Sequence, residues 1–385
     1  MKKVLVFSIT ILFCSILHAQ NAERFKVAIF TPMYLDSVFD ASGNYRYEKN
    51  AFPRFVIPGL EFYQGVQAAI DSLQKRGAPL DFYIFDSRGK ESLQQQINRK
   101  EIADADLIIA QTNAVETRIL AEAALSKKIP FISTNFPNDA GVVANPYFVV
   151  LNSTLQTHVE KIYEFIQRNH HQDKIIVFRK TGAQEDQLKN QLSEYAKLNK
   201  GKNVEISYVN LSPRFTTQDL KNHLDSNRRN LVIAGSLDEQ FGMQLLNQLS
   251  SINNTYPLRV IGMPNWERMN LSRLNNLEII YTTPFYYNRL SILEVKLNDE
   301  YQNNINSKPG EMFFRGYETT LRFSFLLLDA KHDVATSLGK KGNTVFTSFD
   351  IQPVMRNESS MTLDYFENRN VYFIKNFGGS KILVQ

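Results

Sequence analysis

The residues best suited to chemistry in this sequence are small polar side chains that directly follow short apolar runs. Such side chains can orient a small ligand by hydrogen bonds, and a tryptophan among them can supply an aromatic wall. The candidates are Gln111, Thr112, Asn113, Ser133, Thr134 and Asn135, followed further along the chain by Lys180, Thr181, Gln184, Ser236, Asp238, Asn265 and Trp266. We select them by position, because open parallel sheets bind ligands beyond the carboxyl ends of their strands.

Each candidate also has an ordinary structural interpretation. Ser133 and Asn135 are residue types common in turns, and Asp238 is suited to capping a helix. Trp266 is equally suited to a hydrophobic core. The sequence leaves both interpretations open at every one of these positions.

Motifs of the common enzyme classes are missing from the sequence. It contains no Gly-x-Ser-x-Gly elbow, no phosphate-binding Walker loop and no His-Glu-x-x-His helix. His170 and His171 lie in the polar stretch RNHHQDK, which favours an exposed loop over a metal site because no third ligand is near. We therefore expect no catalytic residue, no metal and no cofactor.

The N-terminal residues predict export. Lys2 and Lys3 precede the apolar run 4–17, which is typical of a secretory signal peptide and too short to span a bilayer. We expect cleavage after Ala19 and a periplasmic mature chain that is not an integral membrane protein. The alternative is a lipid-anchored form processed at Cys14, the only cysteine.

The charge balance argues against a nucleic-acid partner. The formal net charge of +5 falls by two, to +3, when Lys2 and Lys3 leave with the signal peptide. No run of lysine or arginine provides the basic patch that nucleic-acid binding requires.

The order of apolar runs predicts an α/β protein. Short β-branched and aromatic runs alternate with longer amphipathic ones, first over 26–151 and again over 154–284. Two such series of similar size predict two Rossmann-like lobes with parallel sheets. Two long helices, near 288–303 and 310–331, then precede strands near 345–351 and 370–376.

Two local features stand out in the first series. The helix predicted from Pro58 to Gly77 carries Gly65 in its middle, where glycine costs about 1 kcal/mol relative to alanine, so we expect a close backbone approach there. The connection 33–57 is much longer than an ordinary βα loop and is rich in aromatic residues. It is either a functional lid or a loop packed on the rim.

The ordered set of these segments resembles the type 1 periplasmic binding proteins, in particular the branch that binds leucine, isoleucine and valine. The segments that carry the resemblance are KVAIFTP, GLEFYQGVQAAIDSLQKRG, DLIIAQ, IPFISTN, DKIIVFRKTG, NLVIAGSLDEQFGMQLLNQL, LRVIGMPNW and GYETTLRFSFLLLDA. The sequence is also similar to a group of exported Bacteroidetes proteins in which this fold often follows a LysM module, which is absent here.

The resemblance implies a fold and its boundaries. It implies two lobes joined by a multi-strand hinge, with a signal peptide at 1–19. The N-terminal lobe would comprise 20–152 plus 284–344, and the C-terminal lobe 153–283 plus 345–385. The first helix, from Pro58, would direct its N-terminal end at the cleft between the lobes, where an anionic ligand group is favoured.

The resemblance also implies a function. The protein would close around a small polar ligand, an amino acid or a similar solute, and present it to an ABC-transporter permease or a membrane sensor. Two departures from the family pattern favour an alternative function. In it the protein is a cell-envelope interaction module that has lost its ligand and contacts other proteins through the 33–57 loop. AQTNAVET lacks the Gly-Pro or Gly-His pair that relatives usually have after the third strand, and MPNW stands where amino-acid binders place an acidic residue.

Overall fold

The computed structural model describes residues 24–48, 51–199, 201, 204–331, 333–339, 344–356 and 362–384. The predicted signal peptide and Cys14 lie outside these residues. Within the described ranges, no helix combines the length and apolar character needed to cross a membrane.

The first series of elements alternates strands and helices as the sequence predicts. It consists of β1 Phe25–Thr31, α1 Leu35–Val38, α2 Ile57–Gln74, β2 Leu80–Asp86, α3 Leu93–Ile97, α4 Lys100–Ala103, β3 Leu107–Ala110, α5 Ala114–Lys127, β4 Phe131–Ser133 and β5 Phe148–Val150. The helix predicted near 91–103 is divided in two, because Arg99 takes an extended backbone conformation between α3 and α4.

The second series has the same alternation. It consists of α6 Leu155–Asn169, β6 Lys174–Arg179, α7 Ala183–Leu198, β7 Ile206–Asn210, α8 Thr217–Lys221, β8 Asn230–Ala234, α9 Glu239–Ile252, β9 Leu258–Ile261, a 3-10 turn Pro264–Arg268 and β10 Glu278–Thr283.

The remaining elements contribute to both lobes. They are α10 Ile292–Ile305, α11 Glu311–Ala330, α12 Val334–Ser337, β11 Ile351–Met355, β12 Leu363–Asn368, β13 Tyr372–Phe377 and β14 Ser380–Val384. The strand predicted at 345–351 begins only at Ile351, and the sequence patterns had not indicated β12.

Two sheets, each of seven strands in the described chain, define the two lobes. Their strand orders are β11-β12-β5-β4-β3-β1-β2 and β14-β13-β10-β9-β8-β6-β7. Most pairs are parallel, while β11, β13 and β14 run antiparallel to their neighbours. The predicted α/β class with two parallel-stranded lobes is confirmed.

Apolar cores cover both faces of each sheet. In β1, Val27 and Ile29 pack on one side against α2, and Ala28 and Phe30 pack on the other side with Leu120 of α5. Burial on both faces explains why this strand reads as an almost continuous apolar run.

The chain passes between the sheets after β5, after β10 and after β12. The lobe boundaries that the resemblance implies near 152 and 283 stay predictions. β12 pairs with β5, so β11 and β12 extend the first sheet, whereas the resemblance implied that 345–385 belongs to the C-terminal lobe. Glu367 ties the first and third crossings together by accepting hydrogen bonds from the Thr154 amide at 2.7 Å and the Thr157 hydroxyl at 2.6 Å.

Gly65 lies where two helix backbones touch. A Cβ atom at Gly65 would stand 1.9 Å from the carbonyl oxygen of Phe313 in α11, and one at Gly316 would stand 2.2 Å from the carbonyl oxygen of Phe62 in α2. The close approach predicted at Gly65 therefore exists, and its partner is α11.

The start of the long 33–57 connection is held at the rim of the first sheet. The Asp86 carboxylate, at the end of β2, accepts hydrogen bonds from the backbone N–H groups of Met33, Tyr34 and Leu35 at 2.8 to 3.1 Å. A β-bridge joins Phe39 to Tyr45 further along. These contacts fix the base of the segment.

We predict that Gly65→Ala destabilises the protein by about 3 kcal/mol, the upper range for overpacking, because backbone atoms cannot yield as side chains do. Urea unfolding measures the change. The control is Gln74→Ala at an exposed position of the same helix, which should stay within about 0.5 kcal/mol of the wild type. A Gly65→Ala protein of unchanged stability would contradict the helix contact.

Candidate functional site

A cavity of about 490 Å³ lies between the lobes at the carboxyl ends of the strands. Its wall is formed by Pro58, Glu61, Gln111, Asn135, Asn152, Glu267, Arg268, Glu311, Met312 and Arg315. Both lobes contribute, since Gln111, Asn135 and Asn152 follow strands of the first sheet and Glu267 and Arg268 follow β9 of the second. Of the residues selected from the sequence, Gln111 and Asn135 belong to this wall.

The first-lobe side of the cavity is a preformed set of amide groups. Asn135 accepts a hydrogen bond from the Thr112 amide at 2.7 Å and donates to the Thr112 carbonyl at 3.1 Å. Asn152 donates to the Asn135 carbonyl at 2.6 Å. Gln111 accepts from the Thr31 hydroxyl at 3.1 Å, while its amide nitrogen lies 3.4 Å from the Met312 sulfur. These bonds hold the amide side chains in place before any ligand arrives.

Three of the other four first-lobe candidates make structural hydrogen bonds, and the fourth is buried. Thr112 shares a hydrogen bond of 2.7 Å with Thr117, and Asn113 caps α5 in a capping box with Glu116. Thr134 donates to the Ala110 carbonyl at 3.0 Å, and Ser133 is fully buried. These residues support the loops that present Gln111 and Asn135.

The second-lobe candidates Lys180 and Asp238 form an ion pair with each other at 2.5 Å. The lysine ammonium, together with the N–H groups at the start of α9, lowers the pKa of Asp238. Asp238 also accepts hydrogen bonds from Gln240 and Phe241 as the N-cap of α9. Its capping role is therefore the one that the structure shows.

The remaining second-lobe candidates lie outside the cavity wall. Ser236 donates to Glu185 at 2.6 Å, and Asn265 donates to the Leu237 carbonyl at 2.8 Å. Thr181 and Gln184 are exposed at the start of α7.

Trp266 is a core residue of the second lobe. Its side chain has no exposed surface and fills the space above Gly262, where a Cβ atom would stand 2.0 Å from the indole. The indole thereby anchors the 3-10 turn. Glu267 and Arg268, the last two residues of that turn, reach the cavity.

The charged residues of the cavity are the ones that sequence reasoning missed. Glu267 directly follows the MPNW segment in which an acid was expected and not found, so the acidic group stands one residue further on. Burial, reinforced by the Glu311 carboxylate, raises the pKa of Glu267 to about 7. The Thr283 hydroxyl donates a hydrogen bond of 3.0 Å to this carboxylate.

Arg315 supplies a buried cation opposite these carboxylates. It is 5% exposed, and its guanidinium lies 3.7 Å from the centroid of the Phe285 ring. A guanidinium held on an aromatic face is fixed in direction and keeps its charge in a partly dry site. The cavity thus presents fixed cationic and anionic groups at the same time.

The N-terminal end of α2 reaches the cavity through Pro58, as the resemblance implied. Glu61 lies close by, and burial raises the pKa of its carboxyl group. The expectation of an anionic ligand group at this helix end stays a prediction.

The histidine pair differs from its predicted exposed loop. His170 is 2% exposed, shares a hydrogen bond of 2.7 Å with Asp173, and lies 3.0 Å from the Arg259 guanidinium. Its polar neighbours along the chain concealed a buried position at the end of α6.

We predict that Glu267 makes stability depend on pH. Because its pKa lies near 7 in the folded protein and near 4.5 ordinarily, the folded state holds a proton that the unfolded chain has lost, and the free energy of unfolding falls as pH rises through this window. The free energy of unfolding of Glu267→Gln should therefore be about 1–3 kcal/mol larger than that of the wild type at pH 8. At pH 5 the difference should be much smaller.

Urea unfolding at both pH values measures the difference, and Glu194→Gln on the exposed side of α7 is the control. The pKa of buried Glu318 is also raised to about 7 by burial. Its titration contributes equally to the wild type and the variant and so cancels in the comparison. An equal effect of Glu267→Gln at both pH values would contradict the assignment.

A family model described as periplasmic binding protein matches residues 57–327, more than half of the 385-residue chain. The chain therefore belongs to the periplasmic binding protein family. A search of curated proteins found no match.

Solved structures with a similar fold include branched-chain amino acid transport and substrate-binding proteins. A putative branched-chain amino acid ABC transporter from Rhodospirillum rubrum is 10% identical with a TM-score of 0.66, covering 94% of this chain and all of its own. A substrate-binding protein from Desulfitobacterium hafniense in complex with Leu is 12% identical with a TM-score of 0.58, covering 94% and 100%. LivJ from Streptococcus pneumoniae, in complex with isoleucine, is 12% identical with a TM-score of 0.53, covering 94% and 99%. At these identities the likeness shows the fold alone.

Proposed function

We propose that the protein is an exported solute-binding protein whose lobes close around a small polar ligand, an amino acid or a similar solute. The observation that carries this proposal is the cavity between the lobes, to which both sheets contribute polar residues. Its volume of about 490 Å³ falls in the range of roughly 300–1,000 Å³ that is usual for small-molecule sites.

The charges of the cavity suit a ligand that carries both signs. Glu267 and Glu311 can neutralise an ammonium group, and Arg268 and Arg315 can receive a carboxylate. The acidic residues also remove the objection, raised by the sequence alone, that a buried ligand ammonium would lack a partner. The isoleucine and Leu complexes of proteins with the same fold support an amino-acid-like ligand.

Closure follows from the placement of these groups on separate lobes. A ligand that contacts Gln111 on one side and Glu267 on the other binds the closed arrangement better than the open one. That difference in affinity is what shifts a hinge. A permease or a membrane sensor would recognise the closed form.

The family also supports a role in binding instead of catalysis, and a periplasmic location. We propose that the mature chain is free in the periplasm after cleavage at Ala19. Lipid anchoring at Cys14 is the alternative, and mass spectrometry of the mature N-terminus distinguishes the two.

The test is a thermal-shift screen of the mature chain against amino acids, short peptides, sugars and nucleosides, followed by calorimetry on each hit. We expect a solute with ammonium and carboxylate groups to raise the melting temperature by mass action. Glu267→Gln should weaken the binding of that solute by about tenfold or more, since the ligand loses a charged partner. Glu194→Gln should bind normally. Absence of any stabilising solute would contradict the proposal.

A second candidate function, a protein-interaction module, is favoured by the surface of the 33–57 segment. Phe39, Tyr47, Phe52 and Phe55 are 39–51% exposed there, and clustered exposed aromatics mark binding surfaces. This function would use the outer face of the segment and not the cavity.

If the second function is correct, Phe39→Ser with Phe52→Ser should abolish capture of a defined partner from envelope extract and leave the melting temperature nearly unchanged. Leu198→Ser, which alters an exposed apolar residue on α7, is the control. Capture retained by the double variant would exclude this surface as the contact.

A further inference from the structure

A second cavity, of about 460 Å³, adjoins the first. Glu267 and Glu311 belong to the walls of both cavities. The two cavities are therefore neighbouring chambers with a pair of carboxylates between them. We call the cavity with the amide groups the polar chamber and the second cavity the aromatic chamber.

The aromatic chamber has a different character from the polar chamber. Tyr281, Phe285, Tyr286 and Tyr287 line it, together with Ile374 of β13 and side chains of the edge strand β14. Arg289 and Lys381 belong to the same wall, and the Lys381 ammonium lies 5.8 Å from the centroid of the Tyr281 ring. Tyr281 lies opposite Ile374, and Ile374 lies opposite Leu383, in the register of the sheet. These three side chains form a continuous floor that suits an aromatic or bulky apolar group.

The boundary between the chambers favours a cation. Both carboxylates belong to the walls of both cavities, and beyond the effect of burial Glu311 raises the pKa of Glu267 more than the nearby Arg315 lowers it. A ligand ammonium between them would offset this repulsion, whereas a neutral or apolar group would leave it in place. A ligand that spans both chambers therefore has its amine near the middle.

The polar chamber suits peptide groups on the other side of that amine. The amide side chains of Gln111, Asn135 and Asn152 offer both donors and acceptors, and Arg268 and Arg315 belong to the same wall. Backbone amides of a peptide pair with such side chains, and a terminal carboxylate pairs with guanidinium groups.

We propose that the ligand is a short peptide with an aromatic or bulky apolar N-terminal residue. Its ammonium group lies at Glu267 and Glu311, its first side chain enters the aromatic chamber, and its remaining backbone occupies the polar chamber. This inference rests on the proposed solute-binding function and specifies its ligand. A single small amino acid would leave one of the two chambers without a ligand group.

Calorimetry on the wild-type mature chain tests the ligand class with four probes: Phe-Ala, N-acetyl-Phe-Ala, Ala-Ala and free phenylalanine. We expect Phe-Ala to bind about tenfold or more tightly than each of the others. N-acetylation removes the ammonium, Ala-Ala lacks the bulky side chain, and free phenylalanine lacks the second peptide unit.

Two variants on β14 test the aromatic chamber itself. Leu383→Trp places a larger side chain in the chamber wall, at a position that is 36% exposed. It should weaken the binding of Phe-Ala about tenfold and leave the binding of Ala-Ala unchanged. Ser380→Trp adds the same side chain at an exposed position of the same strand outside the chamber, and should bind both peptides as the wild type does. A cooperative melt confirms that each variant is folded.

The outcomes separate this inference from the function on which it rests. Binding of free amino acids as tight as that of Phe-Ala, with no effect of Leu383→Trp, overturns the peptide proposal and leaves a solute-binding protein. Equal binding of Phe-Ala and its N-acetyl form overturns the placement of the amine. If none of the four probes binds and no solute in the thermal-shift screen binds either, both the peptide proposal and the solute-binding function are overturned.

Discussion

The crossing of α2 and α11 is the contact on which the cleft depends. Gly65 and Gly316 allow the two backbones to touch, since a Cβ atom at either position would overlap a carbonyl oxygen of the other helix. The same closeness continues to the helix ends, where Glu61 lies against Gly310. Both N-terminal ends consequently reach the cavity side by side, with Pro58 on α2 and Arg315 on α11. A wider crossing would draw these groups apart.

Helix α11 contributes both to the cavity wall and to contacts with the segment around Thr347. Its first turns carry Glu311 and Arg315 into the cavity. One turn further on, buried Glu318 accepts hydrogen bonds from the backbone N–H groups of Phe346 and Thr347, at 2.9 and 2.5 Å. Burial raises the pKa of Glu318 to about 7, against the effect of these bonds. A single rigid helix thus supports both the wall of the cavity and a segment close to the third crossing.

Most of the fold could be predicted from the sequence because its signals are local. The apolar run of β1 and the capped helix α2 identify themselves by period and by terminal residues. The placement of β12 could not be predicted, because its pairing with β5 joins residues more than two hundred positions apart. The division of the helix predicted near 91–103 into α3 and α4 has only a weak signal in the sequence.

The candidate site was less predictable for a physical reason. The rule that selects residues after strands gave Gln111 and Asn135, which line the cavity, but it also gave Lys180 and Asp238, which pair with each other. Glu311 and Arg315 come from a helix that crosses back from the second sheet, so strand ends give no indication of them. Trp266 and Glu267 are adjacent in sequence, yet one anchors the turn in the core and the other reaches the cavity.

Hinge closure around a ligand is the central claim, and small-angle X-ray scattering measures it most directly. The radius of gyration of the mature chain should be determined alone and with a saturating amount of the most strongly stabilising solute. The account predicts a smaller radius in the presence of that solute, and for Glu267→Gln the same decrease only at higher solute concentration. A radius that stays unchanged while the wild-type site is saturated would contradict closure as the working event.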